Sequence, residues 1–541
     1  MRPRDLTRLA TTTYDVLVVG GGIYGLTIAY EAASRGLATA LVERGDFGGG
    51  ASFNHQKTVH GGLRSLQSGS LRQARESIVE RRALARIAPW LLRPLPFIIG
   101  THRSLTRSRL ALRAAFRIDR WLGRDRNDGV EPELHLPPPR LLSKAAALRF
   151  FPGIRQDKLT GAAQWYDYQM VEADRLTLAF AAAADRAGAD LANYVEAVAP
   201  IRSGSSVAGM TARDALSGND LAIQARTIVN AAGAHAGAIM AGLGVKRAVP
   251  LLKAMNLVTS KPASDIALVA PGASGRMLTL VPWRGHALVG TAQSPSLVAA
   301  SDTGVTAAEV ETFIADANRA FPALRLGPAD VTLVHRGVVP AAEGAKGAPE
   351  LRSQPAIYDH TSEGAPGAFT VIGVKYTTAR RVAERTTDLV ARRLKKRIAQ
   401  SRTATTVLPG AGIADHEALA IETARASGID LSMAEIRHLI GRYAERAADI
   451  VRLMRDHPEL RGAVSTAGPT LRAEVVYVIR HEMALHLTDI IVRRTGAGAA
   501  GRPDDETIRA MAEIAARELE WDIARTDEEI AAVERVYALD A

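Results

Sequence analysis

Near its start the chain places a strand, a glycine-rich turn and a helix in immediate succession. Tyr14-Asp15-Val16-Leu17-Val18-Val19 is an apolar run suited to a parallel sheet buried on both faces. Gly20-Gly21-Gly22-Ile23-Tyr24-Gly25 follows directly and satisfies G-x-G-x-x-G. A helix is expected from Ile23 to Arg35 with Gly36 as its C-cap, then a second strand over Thr39 to Glu43. In such a unit Gly20 permits the tight turn, Gly22 lets the backbone approach a pyrophosphate, and Gly25 lets helix and strand pack closely. The phosphates then lie at the helix N-terminus. Glu43 stands 23 residues after Gly20, where a carboxylate accepts hydrogen bonds from ribose hydroxyls. With strand, helix and acid in register, the segment reads as a Rossmann-type dinucleotide site.

A chain of 541 residues exceeds one hydrophobic core, so two or three domains are expected. The absence of cysteine excludes disulfides, thiolate catalysis, iron–sulfur clusters and a thioether-linked flavin. No metal site is expected. No apolar run reaches the roughly 18 residues that span a bilayer. Met1 to Thr13 carries arginines but no apolar h-region, so it does not read as a secretory signal and a cytoplasmic location is expected. The net charge of +11 admits nucleic acid, anionic lipid or an anionic substrate.

The expected fold class is α/β. A Rossmann-type cofactor domain spans 14–400, with interleaved mixed α+β substrate segments near 90–155 and 246–335. A linker at 401–412 leads to an all-helical C-terminal domain at 413–541. An Arg-rich helical region is expected from Ser70 to Gly123, interrupted by Pro89, Pro94 and Pro96, and Thr306 to Glu309 forms a capping box. Two more segments favour FAD over NAD. Ile228-Val229-Asn230-Ala231-Ala232-Gly233 is a strand ending in small residues, which lets the backbone pass close to a ligand. Val371-Ile372-Gly373-Val374-Lys375-Tyr376-Thr377-Thr378 is a strand leading to a helix N-terminus, which stabilises negative charge on a reduced flavin.

At these residues the sequence resembles the FAD-dependent glycerol-3-phosphate dehydrogenases, within the wider D-amino-acid-oxidase-like flavoproteins. His60-Gly61-Gly62-Leu63-Arg64 is the most specific match. Asp174-Arg175-Leu176, Pro282-Trp283, Gly290-Thr291, and Lys375 with Thr377-Thr378 follow in order. Val476-Tyr477, His481-Glu482, Asp489 and Arg493-Arg494-Thr495 resemble the family's helical C-terminal domain. The resemblance implies hydride transfer from a carbinol to flavin N5, with electrons passed to a quinone or to oxygen. It also implies that Arg64 and Lys375 hold the substrate phosphate and orient the alcohol; His60 and His335 join them as catalytic candidates on residue type and place in the chain. Arginine suits a phosphate through its bidentate fork; a structural ion pair is the alternative for Arg64. Lys57, His60, Gly62, Val195, Ala232, Gly233, Gly373, Lys375, Tyr376 and Thr377 join Gly20, Gly22, Gly25 and Glu43 as expected cofactor contacts.

The sequence also departs from the family. Its Gly-Val-Arg-Pro segment reads Gly337-Val338-Val339-Pro340, and Arg336 would face the other side of the strand. Ser65 stands for a tyrosine, Asn256 for a histidine, and His55-Gln56-Lys57 for Ser-Ser-Lys. A different hydroxyl compound or an amine is therefore the alternative substrate, and a flavin-binding partner protein without turnover a third reading. A base near neutral pKa is usually histidine, and His55, His60, His286 and His335 all lie in segments expected near the site. Covalent attachment of FAD through His55 is a further alternative, although its flanking residues do not match that pattern.

Between Arg103 and Arg126 lie eight arginines, of which Arg109, Arg113, Arg117, Arg120 and Arg124 form one helical stripe beside Leu110, Ile118 and Trp121. This fits an in-plane helix on anionic lipid at the inner face of the membrane. The alternative is a helix packed on the protein with a solvated arginine face. Nucleic acid is not an expected partner, since no binding module is visible. A homo-oligomer is expected by analogy with helical C-terminal domains.

Overall fold

The computed structural model describes residues 1–63, 66, 70–103, 108–344, 347–410 and 415–540. The opening segment forms a strand at Val16–Val19, a helix at Ile23–Ser34 and a strand at Thr39–Glu43. Gly36 takes φ +91° just beyond the helix, as its C-capping position requires. The two strands join a six-stranded sheet in the order Ala356–Asp359, Ala368–Ile372, Ile228–Asn230, Val16–Val19, Thr39–Glu43, Asp190–Asn193. All neighbours are parallel except the first pair.

Both faces of this sheet are covered, which is why its central strand Val16–Val19 is apolar and buried at every position. Val16, Val18 and Leu41 pack under the helices Ile23–Ser34, Ala173–Arg186 and Ala379–Leu394. Leu17, Val19, Ala40 and Val42 pack against a four-stranded sheet that includes Val195–Ser203 and Ser206–Asp214.

A third, ten-stranded sheet includes Leu92–His102, Leu159–Met170, Leu251–Pro262, His286–Gln293 and Val331–Glu343. The Arg-rich region is not simply two helices broken by prolines. Between the helices Leu71–Ile87 and Arg109–Leu122 runs the eleven-residue strand Leu92–His102. Pro94 and Pro96 lie where that strand pairs only with Leu159–Met170; its other edge gains a partner from Phe97 onward. A missing N–H is tolerated on such an edge. Thr306 forms the capping box with Glu309.

Residues 415–540 are mainly helical, with the helices Met433–Tyr443, Arg472–Glu482 and Asp505–Leu519 among those that share one apolar core. Buried ion pairs clamp this unit to the rest. Arg494 and Arg493 both bond Asp46, just beyond the second strand, at 2.6 Å. Arg175 makes two 2.6 Å hydrogen bonds to Glu482, and Arg284 and Arg442 converge on Glu172.

Burial alone would raise the Glu482 carboxyl, but the charge and hydrogen bonds of Arg175 hold it at about 2. Its contribution is therefore complete above the ordinary carboxylate value of about 4.3 and is lost as pH falls through about 2. Glu482→Gln, which leaves Arg175 without its charge partner, is expected to cost ~3–5 kcal/mol at neutral pH. Denaturant unfolding should show that gap closing as the pH is lowered from about 5 toward 2.

Candidate active site

The glycine turn forms a cradle into which side chains do not fit. Gly20 has φ +108°, and a Cβ there would lie 2.7 Å from the carbonyl oxygen of Ala231. A methyl on Gly25 would overlap the carbonyl oxygen of Gly20. Gly22 is the N-cap of the helix Ile23–Ser34 and provides no side-chain cap. Its first amide, Ile23 N–H, donates to Ser52 Oγ at 2.9 Å. Glu43 accepts from Gly21 N–H at 2.6 Å and from Gly45 N–H at 2.8 Å. Burial raises its carboxyl, and those two amides partly oppose the rise. Ala232 and Gly233 close the far side of the cradle, Gly233 with φ +57° at the start of a short 3-10 turn. Amide donors at a helix start, a carboxylate on the next strand and excluded Cβ atoms fit the diphosphate and ribose of a dinucleotide.

Tyr24, an unspecified position of the glycine motif, links this cradle to the expected flavin end. Its hydroxyl donates to Lys375 O at 2.8 Å and lies 3.2 Å from Val374 N and Lys375 N, both of which donate to it. Its ring packs against Gly373, where a Cβ would clash with it. The turn Tyr376–Thr378 follows and opens the helix Ala379–Leu394. Thr377 Oγ1 accepts from His60 N–H at 3.2 Å, and Tyr376 pairs with Thr177 at 3.1 Å. The His60–Gly62 turn is thereby brought beside Lys375, Tyr376 and Thr377. Arg64 and Ser65 lie outside the described residues.

Three further expected residues are deeply packed. Lys57 is fully buried, its ammonium donating to Phe53 O and lying 4.1 Å from the Phe53 ring and 5.1 Å from that of Trp283. Burial pulls it down to about 8, against the opposing charge of Asp174. His335 is also fully buried, 3.2 Å from Asn54 Oδ1 and 5.0 Å from the Phe53 ring. Val195 begins its strand inside the core against the first sheet. Of the other candidate histidines, His55 accepts from Lys57 N–H at 3.0 Å and packs on Tyr376.

The departures have definite surroundings. Val339 pairs with Leu252 on the strand Val331–Glu343. Arg336 turns away, donating to Ala538 O at 3.0 Å and Arg535 O at 3.2 Å. Asn256 is buried and accepts from Thr291 Oγ1 at 2.7 Å. Tyr24, Ser52 and Asp167 were missed by sequence reasoning. Only Asp167 left a trace there, as a lone acid among Trp165, Tyr166 and Tyr168.

Comparison with known proteins accounts for this arrangement. The family model described as FAD dependent oxidoreductase matches residues 15–389, and that for the C-terminal domain of alpha-glycerophosphate oxidase matches residues 401–526. Glycerol-3-phosphate dehydrogenase of Synechocystis is 32% identical over 91% of this chain and 90% of that protein. The chain belongs to the FAD-dependent glycerol-3-phosphate dehydrogenase family. Glycerol-3-phosphate dehydrogenase 2 of Mycobacterium tuberculosis is 30% identical over 97% of this chain and 88% of that protein. The solved glycerol-3-phosphate dehydrogenase of Bacillus halodurans shares the fold, with a TM-score of 0.76, 24% identity, and coverage of 98% of this chain and 95% of that one. As a member of this family the protein is an FAD-dependent oxidoreductase.

Two variants test the cradle. Tyr24→Phe removes a hydroxyl that engages three backbone groups and is expected to cost ~1–3 kcal/mol, with weaker flavin retention. Gly25→Ala should yield protein nearly devoid of flavin. The ratio of flavin to protein absorbance after purification reads both outcomes.

Proposed function

We propose that the protein oxidises glycerol 3-phosphate to dihydroxyacetone phosphate and passes the electrons to a quinone. Bound FAD supplies the hydride acceptor, at N5. The observation that carries this reading is the docking of the His60–Gly62 turn onto Thr377, beside Lys375, at the end of the glycine cradle. The substrate itself is inferred from the relatives' named activity. Gly20, Gly22, Gly25, Glu43, Ala232 and Gly233 would hold the adenosine diphosphate half, and Gly373 to Thr377 would border the flavin. Lys375 and Arg64 would neutralise the phosphate and orient the alcohol, as cations suited to a phosphoryl group. Residues 14–400 form the catalytic unit in this proposal, with the helical unit beyond 412 clamped onto it.

A second reading, oxidation of another hydroxyl compound or an amine, is favoured by one feature. Val339 stands where the family places an arginine, and Arg336 is engaged with the C-terminal helix. Loss of a phosphate-binding arginine costs roughly 2–5 kcal/mol where nothing replaces it. Anaerobic bleaching of the oxidised flavin separates the two readings. Under the first, glycerol 3-phosphate bleaches it rapidly, and Val339→Arg lowers the half-saturating concentration. Under the second, glycerol 3-phosphate fails and another member of a panel of hydroxy acids and amines succeeds.

The same proposal places the helix Arg109–Leu122 on an anionic membrane surface. Leu112, Phe116 and Leu122 pack inward, while Arg109 turns to Leu142 O and leaves the outer stripe. The outer face exposes Leu110 (76%), Trp121 (63%) and Ile118 (40%) beside the exposed Arg113, Arg117, Arg120 and Arg124. An apolar strip bordered by cations favours the interface of anionic lipid. Among the described residues no helix is long and apolar enough to cross a membrane. Vesicles containing phosphatidylserine should sediment the protein, and pure phosphatidylcholine vesicles should not. Replacing Arg117 and Arg120 by glutamine should weaken binding roughly 30-fold, about 1 kcal/mol for each charge. Equal binding to both vesicle types would refute the assignment.

A further inference from the structure

Under the His60–Gly62 turn lies a buried carboxylate that the proposed chemistry has not yet used. Asp167 stands on the strand Leu159–Met170, and Oδ1 accepts from Gly61 N–H at 2.7 Å and from Arg81 Nη1. Oδ2 accepts from Trp165 Nε1–H at 3.3 Å and lies 3.1 Å from His60 Nδ1. Arg81, from the helix Leu71–Ile87, also donates to Tyr166 O at 2.9 Å. Arg81 and Asp167 are each only 3% exposed. The guanidinium passes so close beneath Gly61 that a side chain there would overlap it.

This arrangement leaves His60 one neutral tautomer. Burial works to raise the Asp167 carboxyl, but the hydrogen bond from His60, the charge of Arg81 and the Gly61 amide outweigh it and hold it below the usual value. An ionised carboxylate only accepts, so the proton between the two groups belongs to His60 Nδ1. Nε2 then carries the lone pair, 2.9 Å from Thr58 Oγ1. That hydroxyl donates to Nε2 when the ring is neutral, and by rotating it can accept once Nε2 is protonated. The His60 side chain is 51% exposed, so its outer edge is open to solvent.

The other candidates are less suited to take a proton. His55 and His335 are held well below the ordinary histidine value by burial and by the charge of Lys57. Asn256 does not titrate. Of the four candidate histidines, His60 alone pairs with a carboxylate among the described residues.

We propose that Asp167, held by Arg81, is the positioning residue that fixes His60 with Nδ1 protonated, so that Nε2 draws the proton of the substrate hydroxyl through the Thr58 hydroxyl beside it. The proposal rests on the reading of the protein as an alcohol-oxidising flavoenzyme. In the step, the carbinol C–H bond breaks and both its electrons leave with the hydrogen as hydride to the flavin. The O–H bond breaks, its proton passes to Thr58 Oγ1 as the Thr58 proton passes to His60 Nε2, and the carbonyl double bond forms. Two electrons and two hydrogens leave the alcohol, one as hydride to the flavin and the other as a proton to the Thr58–His60 pair.

The test uses FAD-loaded enzyme with ring-15N-labelled histidine, in which His60→Gln identifies the His60 signals. Wild type is expected to show the Nδ1–H tautomer. In Asp167→Asn the amide can donate to Nδ1, and the Nε2–H tautomer should appear. Under saturating glycerol 3-phosphate, His60→Gln and Asp167→Asn should each slow anaerobic flavin reduction by roughly 10²–10⁴-fold. The double variant should be no slower than His60→Gln alone, because both changes disable one proton transfer.

A purely structural Asp167 would instead lower flavin content while leaving the rate per bound flavin unchanged. That result, or an Nε2–H tautomer in wild type, overturns the proposal, as does multiplication of the two losses in the double variant. If Asp167→Asn fails to hold FAD because Arg81 loses its partner, Asp167→Asn with Arg81→Met removes both charges and gives the same readings. If wild type is not reduced by glycerol 3-phosphate, the substrate reading falls. The tautomer comparison then decides the role of Asp167 by itself: inversion supports it, and an unchanged tautomer overturns it.

Discussion

The hydroxyl of Tyr24 ties together the two parts of the molecule on which the site depends. It sits in the first turn of the glycine helix and meets the backbone of Val374 and Lys375, more than 300 residues away in sequence. Without that contact the cradle and the Lys375 turn would be neighbours of adjustable spacing. With it, the glycine helix and the strand end before Lys375 are held at one spacing, which the proposed phosphate and flavin contacts require. Thr377 then carries the constraint to His60, and Asp167 and Arg81 brace His60 from behind. A hydride donor, its acceptor and a base need mutual placement within a fraction of an ångström, and rigid packing of this kind supplies it.

Charge performs two different tasks in this arginine-rich chain. Some guanidinium groups are spent internally: Arg81, Arg175, Arg380, Arg442 and Arg494 are buried and paired with Asp167, Glu482, Glu80, Glu172 and Asp46. Buried pairs of this type add little net stability over apolar packing, but they penalise any misplaced docking, since each partner left alone is costly. Three of them, the pairs of Arg175, Arg442 and Arg494, lie at the junction between the helical C-terminal unit and the cofactor domain, where apolar faces alone would permit sliding. Other arginines, on the outer face of the helix Arg109–Leu122, remain in solvent with Trp121 and Leu110. Net charge is therefore a poor guide to function here until the paired groups are set aside.

The histidines illustrate the same division. His55, His60 and His335 all come close to the expected flavin end, yet their surroundings differ in kind. Two are enclosed and share the repulsion of Lys57, whereas the third has a carboxylate behind it and solvent before it. Residue type made all of them candidates, and only the environment distinguishes them.

The sequence alone determined the Rossmann-type start, because helix and strand periodicities, the C-cap glycine and the capping box are local signals. It also carried the family resemblance, most specifically through His60-Gly61-Gly62-Leu63-Arg64, because that signal too lies in one contiguous segment. It could not show that a strand would occupy the proline-rich gap, because partners on remote strands decide whether an N–H is needed there. Nor could it single out Tyr24, Ser52, Arg81 or Asp167. Their roles arise from contacts across 29 to 351 residues of chain, and in the motif or its surroundings each occupies a position that sequence pattern leaves unspecified. Tertiary structure decided which charges are buried, which face of the arginine helix is open, and which histidine has a proton-holding partner. Each of these depends on desolvation, a property of surroundings that a linear pattern does not encode.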